Sequence, residues 1–309
     1  MGADEFGNLY EAFAPTSFRS TVAPHCATGQ GMRTFITGHK GQLGRELTSR
    51  LPASVGVDLP EVDITDPGSI DAAVDAARPD LVIHCAAMTN VDGAVQDPAL
   101  AERINGLGTQ NVARAAARAG AALLYVSTNE VFDGTKSEPY LELDAPNPIN
   151  AYGMSKLAGE WKAAEATSRL YIVRTSWVAA PGGRNFIHRI QELADERGSL
   201  KVVTDEIASP TFVGDLADAI VRLVATGRFG IYHLTNAGYC SRYEYAKKIL
   251  ELSGRGHIPV EPITLADFPR PSTPPKFSPL ANTAAAALGI TLPTWQAGLE
   301  EFLRRAASA

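Results

Sequence analysis

An α/β fold, a doubly wound parallel sheet covered by helices, is what this 309-residue chain predicts. Two observations lead there. From Met32 onward, short apolar runs alternate with longer amphipathic stretches, the rhythm of strands and crossover helices. The first run, Thr34-Phe35-Ile36, passes directly into Thr37-Gly38-His39-Lys40-Gly41-Gln42-Leu43-Gly44. A strand entering a glycine turn and then a helix presents backbone N–H groups to a pyrophosphate, which makes the expected fold Rossmann-type.

The elements follow in order. Strands are expected at 33–37, 54–58, 80–86, 122–127 and 170–175, with helices at 42–51, 70–77, 100–119 and 151–166 between them. The alanine-rich run from Asn111 to Ala119 has high helix propensity and stops at Gly120. After about residue 177 turns multiply, as at Pro181-Gly182-Gly183 and in the segment from Pro269 to Pro279, which holds five prolines. Helices are still expected at 186–197, 213–226, 242–252 and 295–307. The division predicted is a flexible leader at 1–31, a dinucleotide-binding domain at 32–176, and at 177–309 a smaller, interleaved region that mainly binds substrate.

Composition narrows the class. With 45% hydrophobic and 20% charged residues the chain is an ordinary globular sequence, large enough for a full core. A net charge of -6 and no Lys/Arg-rich run give no footprint for nucleic acid. No stretch approaches the roughly 20 apolar residues that span a membrane, and residues 1–31 lack the apolar core of a secretory signal. Cys26, Cys85 and Cys240 are scattered and odd in number, which fits a reducing, cytoplasmic setting without disulfide or zinc. Cys85, within Leu81-Val82-Ile83-His84-Cys85-Ala86-Ala87, reads as a buried inert thiol. No metal-chelating cluster is visible; scattered acids such as Glu206 or Glu300 show no ligand spacing.

The glycine loop assigns the cofactor residues. Gly38 permits the tight turn, Gly41 lets backbone approach phosphate, and Gly44 lets the helix pack near the strand. Lys40, Gln42 and Leu43 complete the loop. Asp58, twenty residues after Gly38, is placed to hydrogen-bond an adenosine ribose hydroxyl, favouring NADH; its plainer reading is a turn residue before Pro60. His39, Lys40 and Arg45 could instead receive a 2′-phosphate, so NADPH and NADH both stay open. Asp63-Ile64 fits an adenine-facing turn, and small Ala86 and Ala87 let the cofactor backbone pass closely.

Tyr152 and Lys156 stand one helical turn apart on one face. With 9 tyrosines and 8 lysines, about 0.2 such pairs arise by chance, and Tyr243-x-x-x-Lys247 also fits. Context separates them: Tyr152 follows the hydroxyl-bearing strand end Ser127-Thr128 by 24 residues, and Tyr243 has no such partner. A dinucleotide site plus this pair equips the chain to move a hydride onto or off a carbonyl. Lys156 is expected to lower the Tyr152 pKa and hold the nicotinamide ribose, Tyr152 to protonate the carbonyl oxygen, and Thr128, with Ser127 the weaker candidate, to stabilise its charge.

The chain resembles the extended short-chain dehydrogenase/reductases, and within them the dTDP-4-dehydrorhamnose reductase family. The G-x-x-G-x-x-G spacing of Gly38 to Gly44, Ala86 to Asp92, Val126-Ser127-Thr128, Val131 to Gly134, Asn150 to Glu160 and Arg174-Thr175-Ser176-Trp177-Val178 carry it. Asn185-Phe186, Pro210-Thr211 with Asp215-Leu216-Ala217, and Arg270-Pro271 follow in the family's order, over roughly 32–305. The most specific segments are Lys156 to Glu160 and Arg174 to Val178. The resemblance implies catalysis by Thr128, Tyr152 and Lys156, with Trp177 facing the sugar and Asn185 and Arg270 contacting the nucleotide diphosphate. Thr89, Val91, Asn129 and Glu130 fall on its substrate-binding segments. Core packing for Trp177 and an ordinary surface position for Arg270 are the plainer alternatives.

Two departures bear on the substrate. The family pattern Ser-Thr-Asp-Tyr is here Ser127-Thr128-Asn129-Glu130, a carboxylate in place of a phenol, and Arg-Pro-x-Asn-Ser-x-Leu becomes Arg270-Pro271-Ser272-Thr273 with a longer path to Leu280. The implied reaction is NAD(P)H-dependent reduction of a dTDP-linked 4-keto-deoxysugar, dTDP-4-dehydro-L-rhamnose to dTDP-L-rhamnose. A reductase or epimerase of another nucleotide sugar, or a non-catalytic dinucleotide-binding subunit, are the alternatives; the complete Thr128, Tyr152 and Lys156 set weighs against the last. The oligomeric state stays open, a homodimer being admissible.

Overall fold

The computed structural model describes residues 31–182 and 185–307; the leader expected at 1–31 lies, but for Gly31, outside the described residues. Six parallel strands form the central sheet: β1 (Thr34–Thr37), β2 (Val55–Val57), β3 (Leu81–His84), β4 (Ala122–Thr128), β5 (Leu170–Thr175) and β6 (Gly230–His233). Their spatial order is β6-β5-β4-β3-β1-β2, so the chain winds outward from β1 to β2 and returns past β1 to β3. That reversal opens a crevice beyond the carboxyl ends of β1 and β3, the usual place for a ligand in such sheets. The sixth strand comes from residues 230–233, beyond the segment that supplies the other five.

Helices cover both faces: α1 (Gln42–Arg50), α2 (Pro67–Ala77), α3 (Thr109–Arg118), α4 (Ala151–Ala166), α5 (Phe186–Arg197), α6 (Val213–Ala225), α7 (Arg242–Leu252) and α8 (Trp295–Ala307). Alternation along the strands divides the core. Ile36, Ile83, Leu124 and Val173 pack with Leu47 of α1 and Leu216, Ile220 and Leu223 of α6. Phe35, Val82, Leu123 and Ile172 face the other way, onto Ile70, Val74, Val112 and Ala163. Each such Val, Leu, Ile or Phe contributes roughly 1.5–3 kcal/mol through removal from water. A third cluster, built on Ile187, Tyr245, Ile249, Trp295, Leu299 and Phe302, underlies the later elements.

The single helix expected at 100–119 is three pieces: a short turn at Pro98–Ala101, a π-helical stretch at Glu102–Gly108, and α3. A tertiary contact accounts for the difference. The bulge delivers Asn105 to the loop after β3, where its side chain accepts from Met88 N (2.8 Å) and donates to Met88 O (3.0 Å) and to Ser155 Oγ of α4 (2.9 Å). α4 packs closely there, because a Cβ on Gly159 would collide with the Tyr125 hydroxyl and the Asn105 carbonyl.

A buried ion pair fixes α4 to the sheet. Arg174 and Glu160 are 1% and 3% exposed, joined by Nε–Oε1 (2.9 Å) and Nη2–Oε2 (2.7 Å) bonds, and Ser127 Oγ donates to the same carboxylate at 2.5 Å. Removing one partner of such a pair strands the other charge. Arg174→Met is therefore expected to lose roughly 3–5 kcal/mol of stability in urea titrations. The double variant Glu160→Leu/Arg174→Met should recover most of that loss; a single variant as stable as wild type would contradict the assignment.

Candidate active site

The glycine loop crosses the crevice. Gly38 adopts φ 70° and hydrogen-bonds from its N–H to Val57 O (2.9 Å). A Cβ there would lie 2.6 Å from Ala86 N, so β1 and the loop after β3 approach as closely as they do only with glycine. Helix α1 begins at Gly41 with no side-chain cap and no acidic residue in its first turn, whereas α2, α4, α5 and α7 are capped by Asp66, Asn150, Asn185 and Ser241. An uncapped helix start beside a glycine turn fits a pyrophosphate, which would satisfy its N–H groups.

The outer cofactor residues are tied among themselves. The Asp58 carboxylate accepts from Lys40 N (3.0 Å) and Leu59 N (2.9 Å), and the Lys40 ammonium pairs with Glu61 (2.8 Å). Gln42 reaches Ala180 N (2.9 Å) and so joins the loop to the later region. The Asp63 carboxylate closes its own turn on Thr65, and the Ile64 side chain is buried in the core. Ala86 and Ala87 follow β3, half-buried beside the loop.

Thr128 ends β4, and Tyr152 and Lys156 lie on the first turns of α4. Asn150 caps that helix by accepting from Gly153 N (2.8 Å). Thr128 Oγ1 donates to Asn129 Oδ1 (3.3 Å) and accepts from Glu130 N (3.2 Å), while burial and the nearby Glu130 carboxylate, against an opposing influence of Thr128, raise the Tyr152 pKa above the ordinary tyrosine value. The expected lowering by Lys156 is thus not what the structure shows. The physical reason is the direction of the amine: Lys156 Nζ donates to Val126 O at 2.7 Å and lies 4.2 Å from the Tyr125 ring centroid. Burial brings the Lys156 pKa down to about 7, against the attraction of Glu160. Ser127 is committed to Glu160 and is not free for substrate. Burial pushes the Cys85 thiol up to about 12, an inert group.

One wall beside Tyr152 is made by Glu130, whose carboxylate accepts from Asn150 Nδ2 at 2.7 Å. Burial raises its pKa, partly offset by Asn150, with Glu206 adding repulsion and Arg270 and Arg242 attraction. Asn129 is buried and turned away, its amide donating to Ser278 Oγ (2.7 Å). Thr89 is exposed and Val91 half-buried, at the entry to the short helix Val91–Gln96. From that helix Asp92 holds the proline-rich segment through Ser272 N (3.1 Å), Ser272 Oγ (2.5 Å) and Arg270 Nε (3.2 Å). Arg270 therefore stands at the cleft rim as an oriented, paired cation.

The opposite wall was largely hidden in the sequence. Trp177, at φ 44° just past β5, carries the Arg242 guanidinium 3.6 Å above its ring, with Tyr245 stacked 6.1 Å away. Arg242 pairs with Glu206 at 2.9 Å. The plain indole face expected for a sugar is covered by guanidinium. Asn185 uses Oδ1 to cap α5 at His188 N (3.2 Å) and donates from Nδ2 to Ala180 O (2.8 Å). The Tyr243/Lys247 pair is self-contained, the ammonium 5.5 Å from its own tyrosine ring centroid.

A doubly wound sheet with a glycine loop at its switch point and a Thr/Tyr/Lys set at the adjoining strand end defines a Rossmann-type dinucleotide-binding protein with proton-transfer groups. The chain belongs to the RmlD substrate binding domain family, whose profile matches residues 32–308. The dTDP-4-dehydrorhamnose reductase of Mycobacterium tuberculosis is 38% identical over 293 residues, covering 91% of this chain and 95% of that protein. That of Burkholderia thailandensis is 38% identical, covering 86% and 96%. The crystal structure of dTDP-4-dehydrorhamnose reductase from Bacillus anthracis in complex with NADP superposes with a TM-score of 0.87 at 39% identity, over 89% of this chain and 100% of that one. Thermus thermophilus UDP-glucose 4-epimerase shares the fold at 23% identity (TM-score 0.77), over 90% of this chain and 100% of that one.

The lowered Lys156 pKa has a sign that stability measurements read. Between the ordinary value of 10.5 and about 7, the unfolded chain holds the proton and the folded chain does not. The group therefore destabilises the fold increasingly as pH falls through that window, and by a constant amount below it. Lys156→Met removes the effect. Without dinucleotide, its stability relative to wild type is expected to be greatest at and below pH 7 and to decline by roughly 2–4 kcal/mol towards pH 10. A difference independent of pH in thermal unfolding would contradict the burial of the amine.

Proposed function

We propose that this protein reduces the 4-keto group of a nucleotide-activated deoxysugar with NADPH or NADH, taking dTDP-4-dehydro-L-rhamnose to dTDP-L-rhamnose in the cytoplasm. The observation that carries the reading is the Thr128, Tyr152 and Lys156 set beside an uncapped glycine-loop helix, in a chain whose relatives bear that activity in their names. The glycine loop from Gly38 to Leu43 would hold the pyrophosphate, and Lys156 the nicotinamide ribose. The reduced nicotinamide supplies the hydride.

The remaining chemistry belongs to the chain. Tyr152, kept protonated by burial and by Glu130, is the acid that a reduction requires: its proton goes to the carbonyl oxygen as C4 receives the hydride, leaving a secondary alcohol. Thr128, whose hydroxyl makes only a long 3.3 Å bond to Asn129, would turn to donate to the same oxygen. Solvent then returns a proton to the phenolate, while Lys156, its amine on Val126 O, would serve the ribose rather than the phenol. A different 4-keto sugar is the second reading, favoured by Glu130 at the position where the family pattern has tyrosine.

The test is oxidation of NADPH and NADH at 340 nm with enzymatically generated dTDP-4-dehydrorhamnose, the epimerase that makes the L-sugar present, and the product identified. Tyr152→Phe is expected to lower kcat at least about 100-fold with dinucleotide affinity nearly unchanged. Near-normal turnover in that variant would remove the mechanism, and oxidation only with another keto sugar would move the substrate.

A further inference from the structure

We infer that Arg242, held flat between Glu206 and Trp177, is a second cation beside Arg270 for the diphosphate of the substrate; this rests on the sugar-nucleotide reading above and adds to it a ligand that the sequence did not suggest. The placement of Arg242 is built in from its backbone outward. The short strand Cys240–Ser241 pairs antiparallel with Ile207–Ala208, which sets Arg242 N on Glu206 O (3.0 Å) and the guanidinium on the Glu206 carboxylate (2.9 Å). The group then lies flat, 3.6 Å above the Trp177 ring and 4.8 Å from the ring of Phe186, the first residue of α5. A guanidinium has five N–H donors in a rigid fork. Glu206 engages Nε and Nη2; among the described residues Nη1 makes no hydrogen bond.

Arg270 mirrors this arrangement on the proline-rich segment. Asp92 engages its Nε, and the Arg270 and Arg242 side chains are 27% and 19% exposed, sheltered but reachable. The two walls are joined: Ile207 N donates to Lys276 O (2.8 Å), Ser278 N to Ile207 O (2.9 Å), and Ser278 in turn receives Asn129. The charges of Arg270 and Arg242 both favour the Glu130 carboxylate. Two oriented, half-desolvated guanidinium groups with one acidic partner each match a diphosphate, whose two charges accept fork-shaped donors well.

The experiment is calorimetric binding of dTDP, dTDP-rhamnose, dTMP and dinucleotide to wild type, Arg242→Gln and Arg242→Lys. Arg242→Gln is expected to weaken dTDP and dTDP-rhamnose alike, by about 10- to 100-fold, and dTMP and dinucleotide much less. Arg242→Lys keeps a point charge without the planar fork and should lose about 3- to 10-fold for dTDP; it carries the test should the glutamine variant fold poorly. Unchanged dTDP affinity in the variants overturns the inference and leaves a purely structural stack. Loss for dTDP-rhamnose but not for dTDP also overturns it, since Arg242 would then read the sugar. Wild type that binds neither nucleotide overturns the sugar-nucleotide reading and the inference together.

Discussion

The buried pair between Arg174 and Glu160 is the constraint on which the site's geometry depends. Two charges withdrawn from water are tolerable only if every donor and lone pair is met. Here Glu160 receives Ser127 and both Nε and Nη2 of Arg174, and Arg174 Nη1 reaches Glu142 O at 3.3 Å. Phe132 lies 5.1 Å from the guanidinium as a flat floor. These contacts fix α4 against β4 and β5 at one register, since Ser127 neighbours Thr128 and residues 152, 156 and 160 share one helical face. A slip of one residue would break the pair and carry Tyr152 away from Thr128 together. The interaction therefore selects one arrangement of the proton-transfer groups, whatever its net contribution to stability.

A second network follows from the proline-rich segment. Prolines remove N–H donors, so residues 269–279 pair through their backbone only at isolated points, such as Phe277 with Ile207, and side chains hold the rest. Asp92, Asn129 and Asn150 do so, from three separate parts of the chain. Asn150 is the junction: its Oδ1 caps α4, and its amide donates both to Glu130 (2.7 Å) and to Thr273 O (3.1 Å). The start of α4, the Glu130 carboxylate and the proline-rich segment are thus one hydrogen-bonded unit. Movement of the rim on ligand binding would be felt at the helix that carries Tyr152.

Local patterns made most of the fold legible. Strand alternation and the glycine turn located β1 to β5, and α4, α5, α7 and α8 begin and end where residue periodicity and capping groups indicate. The π-helical stretch and β6 were not legible: the first is shaped by what Asn105 must reach, and the second is four residues whose strand character comes from pairing with β5. The site divides in the same way. Short-range spacing is what singles out Gly38 to Gly44 and Tyr152 with Lys156 as candidates. It does not reveal that Ser127 and Asn129 are spent on internal partners, or that Arg270 meets a residue 178 positions away. A sequence shows which polar groups exist; only the fold shows which are already satisfied. Arg242, in sequence an unremarked first residue of a helix, gains its meaning entirely from Trp177 and Glu206.

The electrostatics of the site also bear on the protonation of its groups. A phenol raised by burial and by Glu130 is held as the acid form at ordinary pH. Lys156, depressed to about 7, adds little fixed positive charge to oppose that. Glu130 follows the same logic. At the position where the family pattern carries tyrosine, a carboxyl donates a hydrogen bond only while protonated, and burial among Tyr152, Glu206 and Asn150 raises the pH to which it stays so. Asn150, donating to one oxygen, favours the charged form and limits the effect. The replacement thus keeps a hydrogen-bonding group on that wall but converts it from a donor at all ordinary pH to one whose character depends on what the substrate brings. A ligand oxygen anion nearby would drive Glu130 towards its donor form, and a hydroxyl would be accepted by the carboxylate.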